Sequence, residues 1–166
     1  FIDESSLADD EPGGELQHIA CKVLMKIFYG ARLARFDLIR AVTALACKVT
    51  KWTKSCDKQL HKIVCYINSS LDYRLGGYIG DPLDKLELAL YSDADFAGCP
   101  STSKSTSGIF IAITGDNSFF PLNAVSKKQT CVSHSTPEAE IVAADFALRT
   151  EGIPAFSLWE LVTGRK

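Results

Sequence analysis

An apolar run that ends in two aspartates constrains the possible folds of this chain more than any other feature. Residues 86–91 are mostly apolar, and Asp93 and Asp95 follow them directly. The run predicts a buried β-strand, which would hold Asp93 rigidly near its carboxyl end. A carboxylate fixed at a strand end is a candidate functional group, although aspartates in such places also serve as turn formers.

A second carboxylate comes from the start of a predicted helix. Ser135 followed three residues later by Glu138 fits a capping box, and Thr136 as the cap with Pro137 at the first helical position fits equally well. Glu138 therefore has a structural role to fill, whereas Glu140 has none.

Asp93 and Glu140 together suit metal-assisted phosphodiester chemistry. Mg²⁺ takes oxygen ligands and keeps water molecules that the substrate can displace, so carboxylates from two separate elements are suitable ligands. The alternative is that Asp93 and Asp95 only shape a turn and that Glu140 is an ordinary exposed helix residue.

Four motifs occur in an order and at a spacing that resemble a known family. They span residues 91–98, 104–108, 126–129 and 135–140. This pattern resembles the ribonuclease H region of copia-type (Pseudoviridae-like) LTR retrotransposon polyproteins. The resemblance implies that Asp93 and Glu140 are catalytic metal ligands for Mg²⁺ or Mn²⁺. It also implies hydrolysis of the RNA strand of an RNA/DNA hybrid by a two-metal mechanism.

One departure from the family pattern affects the expected activity. The family has a further aspartate on a strand after the helix, and this sequence reaches Lys166 without such a strand. We therefore expect a C-terminally incomplete ribonuclease H domain that cleaves a hybrid negligibly by itself. The alternative is a non-catalytic binding or structural subunit of a larger assembly, derived from a transposon fragment.

The segment before this region is helical and basic. Apolar residues recur at helical spacing from Leu16 to Gly30, from about Asp37 to Trp52, and from Ser55 to Ser69. Residues 21–62 carry ten basic and two acidic side chains, which favours nucleic acid as a partner. Parts of this segment, residues 29–39 and 67–73, resemble the end of the copia-type reverse transcriptase. The lysines expected to bind nucleic acid are Lys48, Lys51, Lys54, Lys58, Lys62, Lys104, Lys127 and Lys128.

These patterns together predict an α/β (α+β) protein in three parts. Residues 1–15 form an acidic flexible arm, 16–75 a small basic helical module, and 76–166 an RNase H-like mixed sheet with a flanking helix. The predicted strands cover residues 86–91, 108–114, 119–126 and 130–133. Gly152 and Pro154 are expected to interrupt the helical pattern before a last short helix at 155–162.

The composition of the chain bears on the expected location of the protein and on its partners. No apolar stretch approaches the roughly 20 residues of a membrane span, and the N-terminus lacks the pattern of a signal peptide. We expect an intracellular protein, cytoplasmic or nuclear, with an organelle not excluded. Its expected partners are an RNA/DNA hybrid or other nucleic acid, and the rest of a polyprotein or a larger assembly. The six cysteines lack a C-x-x-C pair, and most are interpreted as reduced thiols packed among apolar residues.

Overall fold

The computed structural model describes residues 13–99 and 102–164. The chain divides into two compact units, one ending at Leu75 and the other beginning at Gly76. Most of the predicted acidic arm, up to residue 12, lies outside the described residues. Gly13 pairs with Thr53 in an isolated antiparallel bridge, so the described end of the arm is joined to the helical unit.

The first unit consists of helices joined by short turns. Its helices are α1 (Gln17–Ala34), α2 (Ile39–Ala46) and α3 (Lys54–Ser69), with 3₁₀ turns at Phe36–Leu38 and Val49–Lys51. The predicted stop at Gly30 is wrong, because α1 continues for four more residues. A glycine inside a helix costs only about 1 kcal/mol relative to alanine, and the buried side chain of Ala31 follows it directly.

Apolar side chains from all three helices form the core of the first unit. The predicted second helix is divided into two 3₁₀ turns around a shorter α2, yet most of its apolar face is buried as expected. The buried apolar residues of this unit are Ala20, Leu24, Ala31, Leu38, Ile39, Val42, Leu45, Trp52, Cys56, Leu60 and Ile63.

The guanidinium group of Arg35 connects the end of α1 to the end of α3. It donates hydrogen bonds to both carboxylate oxygens of Asp37, at 3.0 and 2.8 Å, and to the carbonyl oxygen of Ser70 at 3.0 Å. The rings of Tyr66 and Tyr73 each lie 5.7 Å from its central carbon. The hydrogen bond from Arg35 is the main reason that the pKa of Asp37 is lowered.

Asp57 caps α1 from a different helix. Its carboxylate accepts hydrogen bonds from the backbone N–H groups of Glu15 and Leu16, at 2.7 and 3.2 Å, and from the indole N–H of Trp52 at 2.6 Å. Helix N-termini have N–H groups without intrahelical partners, and Asp57 satisfies the groups just before α1. Burial raises the pKa of Asp57, but the hydrogen bonds from Trp52 and the backbone outweigh it and lower the pKa overall.

The two lowered pKa values predict how stability depends on pH. A carboxyl group with a depressed folded-state pKa contributes stability above its unfolded pKa, and this contribution is lost as the pH falls through the folded pKa. Asp37→Asn and Asp57→Asn should therefore lower the free energy of unfolding at pH 7 and flatten its decline in acid. Urea unfolding of the full chain from pH 7 to pH 2 measures both effects.

Asp72→Asn is the matched control, because Asp72 is exposed in the same unit and has no hydrogen bond or ion pair with any described residue. An acid profile of Asp37→Asn or Asp57→Asn that matches the control would contradict this account.

The second unit contains an antiparallel sheet with a helix on one face. Its strands are β1 (Tyr78–Ile79), β2 (Glu87–Asp95), β3 (Thr106–Gly115) and β4 (Ser118–Lys128), in the order β1-β4-β3-β2. The α+β class is confirmed. The expected mixed sheet is not found among the described residues, where every strand pair is antiparallel. A parallel partner would need a crossover and a later strand, and the described chain after β4 is helical.

The buried side chain of Gln129 explains why no strand forms at residues 130–133. Its amide nitrogen donates hydrogen bonds to Ser107 Oγ and to the carbonyl oxygen of Ala139, both at 3.0 Å. Its amide oxygen accepts a hydrogen bond from Ser133 Oγ at 3.3 Å. These bonds turn the chain away from the sheet and direct it toward the following helix, α4 (Thr136–Ala147).

The helix α4 lies close to the sheet because alanines form the contact. Ala139 and Ala143 are fully buried, and they cluster with Ala94 of β2. The helix does not break at Gly152 as expected, but passes through a π-helical turn (Leu148–Gly152) into α5 (Ile153–Thr163). Gly152 is itself buried, and a Cβ there would lie 3.0 Å from Leu90 Cδ2.

Because α5 begins at Ile153, Pro154 lies in its first turn, where the missing N–H of proline is tolerated. Among the described residues, no helix combines the length and the apolar character needed to cross a membrane.

Gln129→Leu should destabilise the second unit. The substitution keeps an apolar body of similar size but leaves the polar groups of Ser107, Ser133 and Ala139 without their partner, at a cost of about 1–3 kcal/mol. Urea unfolding of the full chain measures the loss, and Gln17→Leu at the exposed start of α1 is the matched control. Equal stability of the two variants would show that the Gln129 hydrogen bonds do not hold α4.

Candidate carboxylate site

Asp93 lies near the end of β2, which is one of the two edge strands of the described sheet. Its backbone pairs with Gly108 of β3, and the residue is exposed. Side chains alternate between the two faces of a strand. Ala94 faces α4, so the side chain of Asp93 starts from the opposite face at the sheet edge.

Glu140 lies on α4, directly after the alanine that contacts β2. Because Ala94 and Ala139 belong to the same packed cluster, the fold brings the backbone of Asp93 and that of Glu140 into one neighbourhood. Glu140 is half-buried. Neither carboxylate forms a hydrogen bond or an ion pair with any residue that the structure describes.

The neighbouring acidic residues have other roles. Glu138 accepts a hydrogen bond from the backbone N–H of His134 at 2.7 Å, and Ser135 Oγ accepts one from the N–H of Glu138 at 3.4 Å. Ser135 is therefore the N-cap, as one of the two predicted alternatives had it, and Thr136 is the first helical residue. The Glu138 carboxylate bonds the N–H one residue before the cap, not that of Ser135 as in a standard capping box. Asp145 forms an ion pair with Arg149 one turn later on the helix.

Asp95 is directed toward its own turn. A Cβ added to Gly98 would overlap its carboxylate, so this glycine leaves room for the Asp95 side chain. Asp93 and Glu140 therefore remain as the candidate pair.

Metal binding by Asp93 and Glu140 stays a prediction. Mg²⁺ is commonly held by one or two carboxylates together with water and substrate phosphates, and Mn²⁺ accepts the same oxygen donors. In the ranges 13–99 and 102–164, no group of three or more His, Cys, Asp or Glu side chains is arranged to hold a metal ion. Two ions about 4 Å apart would need further oxygen ligands besides this pair.

The lysines predicted to bind nucleic acid differ in their exposure within the first unit. Lys54, Lys58 and Lys62 are exposed and recur every four residues along α3, so they lie along one face of the helix. Lys51 is also exposed. Lys48 does not present its charge to solvent, because its Nζ is buried and has no hydrogen-bond acceptor among the described residues.

The lysines of the second unit are engaged in local contacts. Lys104 Nζ donates a hydrogen bond to the carbonyl oxygen of Thr130 at 2.7 Å. Lys127 Nζ lies 4.7 Å from the ring centroid of Phe146 on α4, which is a cation–π distance. Lys128 Nζ lies 2.6 Å from Cys99 Sγ. These three ammonium groups therefore have intramolecular partners.

Two polar residues that organise the units were not singled out from the sequence. Gln129 ends the motif at residues 126–129, so its place in that motif was the available signal. Arg35 was counted only as one of ten basic residues, and its fixed position depends on Ser70 and Tyr73, which are distant in sequence.

Comparisons with known proteins identify no relative. No protein-family model matches the chain, no curated protein shows significant similarity to it, and no solved structure matches it significantly.

A manganese titration tests the carboxylate pair directly. Bound Mn²⁺ broadens NMR signals of nearby nuclei, so the amide signals of Asp93, Gly108 and Glu140 should broaden first, with weak affinity on the order of 10⁻³ M. Asp93→Asn and Glu140→Gln should each abolish this selective broadening. Asp116→Asn, in the exposed turn between β3 and β4, is the control and should leave it unchanged. Selective broadening that survives in the double variant would exclude the pair as the binding site.

Proposed function

We propose that residues 76–166 form an RNase H-like domain, derived from a copia-type LTR retrotransposon polyprotein, that hydrolyses the RNA strand of an RNA/DNA hybrid. The observation that carries this proposal is the contact of Ala94 with Ala139. It brings the backbones of Asp93 and Glu140, the two residues that match the family's metal ligands, into one neighbourhood. Their carboxylates are also free of described hydrogen bonds and ion pairs.

In the proposed reaction, this chain's own residues would hold and orient the metal ion. Mg²⁺ or Mn²⁺, when bound, would supply an activated water and stabilise charge on the scissile phosphate. Asp93 is fixed by strand pairing to Gly108, and Glu140 by a helix whose start is capped by Ser135. Because strand pairing and the capped helix fix the backbones of both residues, only their side chains would have to order when a cation binds.

The remaining ligands of a two-metal centre are proposed to come from another segment. The family resemblance implies an aspartate on a later strand, and the rest of a polyprotein or a larger assembly would provide it. The pair alone would bind one cation and support negligible cleavage.

Recognition of the hybrid is assigned to the basic helical unit. Lys54, Lys58 and Lys62 form an exposed line along α3, with Lys51 just before it. Lysines in such a line attract a phosphate backbone in a salt-dependent way that does not depend on sequence. This surface also favours the second candidate function, a non-catalytic nucleic-acid-binding or structural subunit, which needs no metal.

A cleavage assay distinguishes the two functions. The 166-residue chain with Mg²⁺ or Mn²⁺ should cleave a labelled RNA/DNA hybrid negligibly. A longer chain that continues into an aspartate-bearing strand should cut only the RNA strand. In the longer chain, Asp93→Asn or Glu140→Gln should lower the rate by at least about 10²-fold, a loss typical of removing a group that stabilises developing charge. Asp116→Asn again serves as the control.

Hybrid binding is measured in the same samples by fluorescence anisotropy at several salt concentrations. Replacing Lys54, Lys58 and Lys62 together by Gln should reduce the salt dependence by about one unit of slope for each phosphate contact that is lost. A longer chain that binds the hybrid but never cleaves it would support the binding function. Rapid cleavage by the 166-residue chain that requires Asp93 would refute the need for outside ligands.

A further inference from the structure

A lysine and a cysteine that are distant in sequence lie in direct contact in the second unit. Lys128 Nζ is 2.6 Å from Cys99 Sγ, and both residues are partly exposed. The two atoms are close enough to react with each other after a small movement.

The sheet register creates this contact. Lys128 pairs with Thr106, and Thr106 pairs with Asp95, so Lys128 and the end of β2 lie across β3 from each other. The chain then turns back through Ala97, which has a positive φ of 50°. Backbone hydrogen bonds from Cys99 N–H to Lys104 O at 3.2 Å, and from Ser103 N–H to Cys99 O at 2.8 Å, close the loop that holds the thiol.

Cys99 differs from the other cysteines in its surroundings. Cys56 is buried, while Cys21, Cys47, Cys65 and Cys131 are exposed, so the expectation that most thiols pack in apolar surroundings is wrong. Cys65 contacts the imidazole of His61, at 3.6 Å from Sγ to Nδ1. Cys99 is held against a lysine amine.

We propose that Cys99 and Lys128 form a reversible covalent cross-link when a peroxide oxidises the protein. The thiolate first attacks the peroxide, so that an S–O bond forms, the O–O bond breaks, and Cys99 becomes a sulfenic acid with release of one water. The Lys128 amine, after losing its ammonium proton to solvent, then attacks the sulfur. An S–N bond forms, the S–O bond breaks, and a second water leaves. The product is a sulfenamide, a known fate of protein sulfenic acids.

The cross-link would fasten the loop after β2 to the end of β4 across the width of β3. The loop directly follows the strand that carries Asp93 and Asp95. Excess thiol attacks the sulfur of the sulfenamide and releases the lysine amine, first giving a mixed disulfide and then free Cys99. The state of the link would therefore follow the balance of peroxide and thiol around the protein.

Mass spectrometry of the full chain after treatment with hydrogen peroxide tests this proposal. The expected product has lost two hydrogens and yields a proteolytic peptide in which Cys99 is joined to Lys128. Dithiothreitol should restore the original mass. An internal disulfide would also lose two hydrogens, but its mapped peptides would contain two cysteines.

Variants separate the roles of the two groups. Cys99→Ser should abolish the cross-link. Lys128→Arg keeps the positive charge but removes the nucleophilic amine, so Cys99 should stop at the sulfenic acid, which dimedone traps. Lys127→Arg is the matched control and should still cross-link, because Lys127 lies against Phe146 on α4. Circular dichroism confirms that each variant is folded. A Lys128→Arg protein that forms the same two-hydrogen product, or a wild-type Cys99 that gains oxygen without linking to Lys128, would overturn the proposal.

Discussion

The close approach of α4 to β2 determines the candidate site of the second unit. Ala94, Ala139 and Ala143 form the contact, and small side chains on both sides allow the helix backbone to lie near the strand. A larger residue in such a packed position forces the backbone to shift, at a typical cost of about 1–3 kcal/mol. The neighbours of Ala94 and Ala139 in sequence are Asp93 and Glu140, so a shift of the helix would also change the distance between the backbones of these two residues.

A buried polar network complements this apolar contact at the same end of α4. Gln129 connects Ser107 of β3 to the carbonyl oxygen of Ala139, and the peptide after β4 must turn to allow it. Buried polar groups stabilise a structure only when their partners are satisfied. The motif at residues 126–129 therefore has a structural explanation that is independent of any family: its glutamine holds the helix, while Lys127 and Lys128 extend to opposite faces of the sheet.

Local sequence patterns predicted most helices and strands correctly. The predictions failed where contacts between residues distant in sequence determine the structure. The hairpin of β3 and β4 and the cap at Ser135 follow from turn and capping residues that act within a few positions. Gly30 and Gly152 were expected to end helices, but burial of their surroundings outweighs a glycine's small local cost. Counting charges in the sequence likewise identified the basic excess of this segment. It did not identify the burial of Lys48 Nζ, because the sequence does not show where the charged end of a long side chain lies in the fold. The pairing of Asp93 with Glu140 rests on family order and stays a prediction, whereas the position of Asp93 on an edge strand depends on strand register.

The distribution of charge relates the two parts of the proposed function, which are attraction of nucleic acid and binding of a metal ion. Residues 76–166 carry eleven acidic and seven basic side chains, so this unit by itself repels a phosphate backbone. A phosphate would approach Asp93 and Glu140 only if a cation offsets their charge and if a basic surface elsewhere supplies attraction. Residues 21–62 have a net excess of eight positive charges in the sequence, and the exposed lysines among them include Lys51, Lys54, Lys58 and Lys62. Salt weakens the attraction between lysines and phosphates by screening, while the cation acts on a carboxylate pair at short range. Salt sensitivity and metal dependence should therefore be separable, the first changing with lysine substitutions on α3 and the second with substitutions of Asp93 and Glu140.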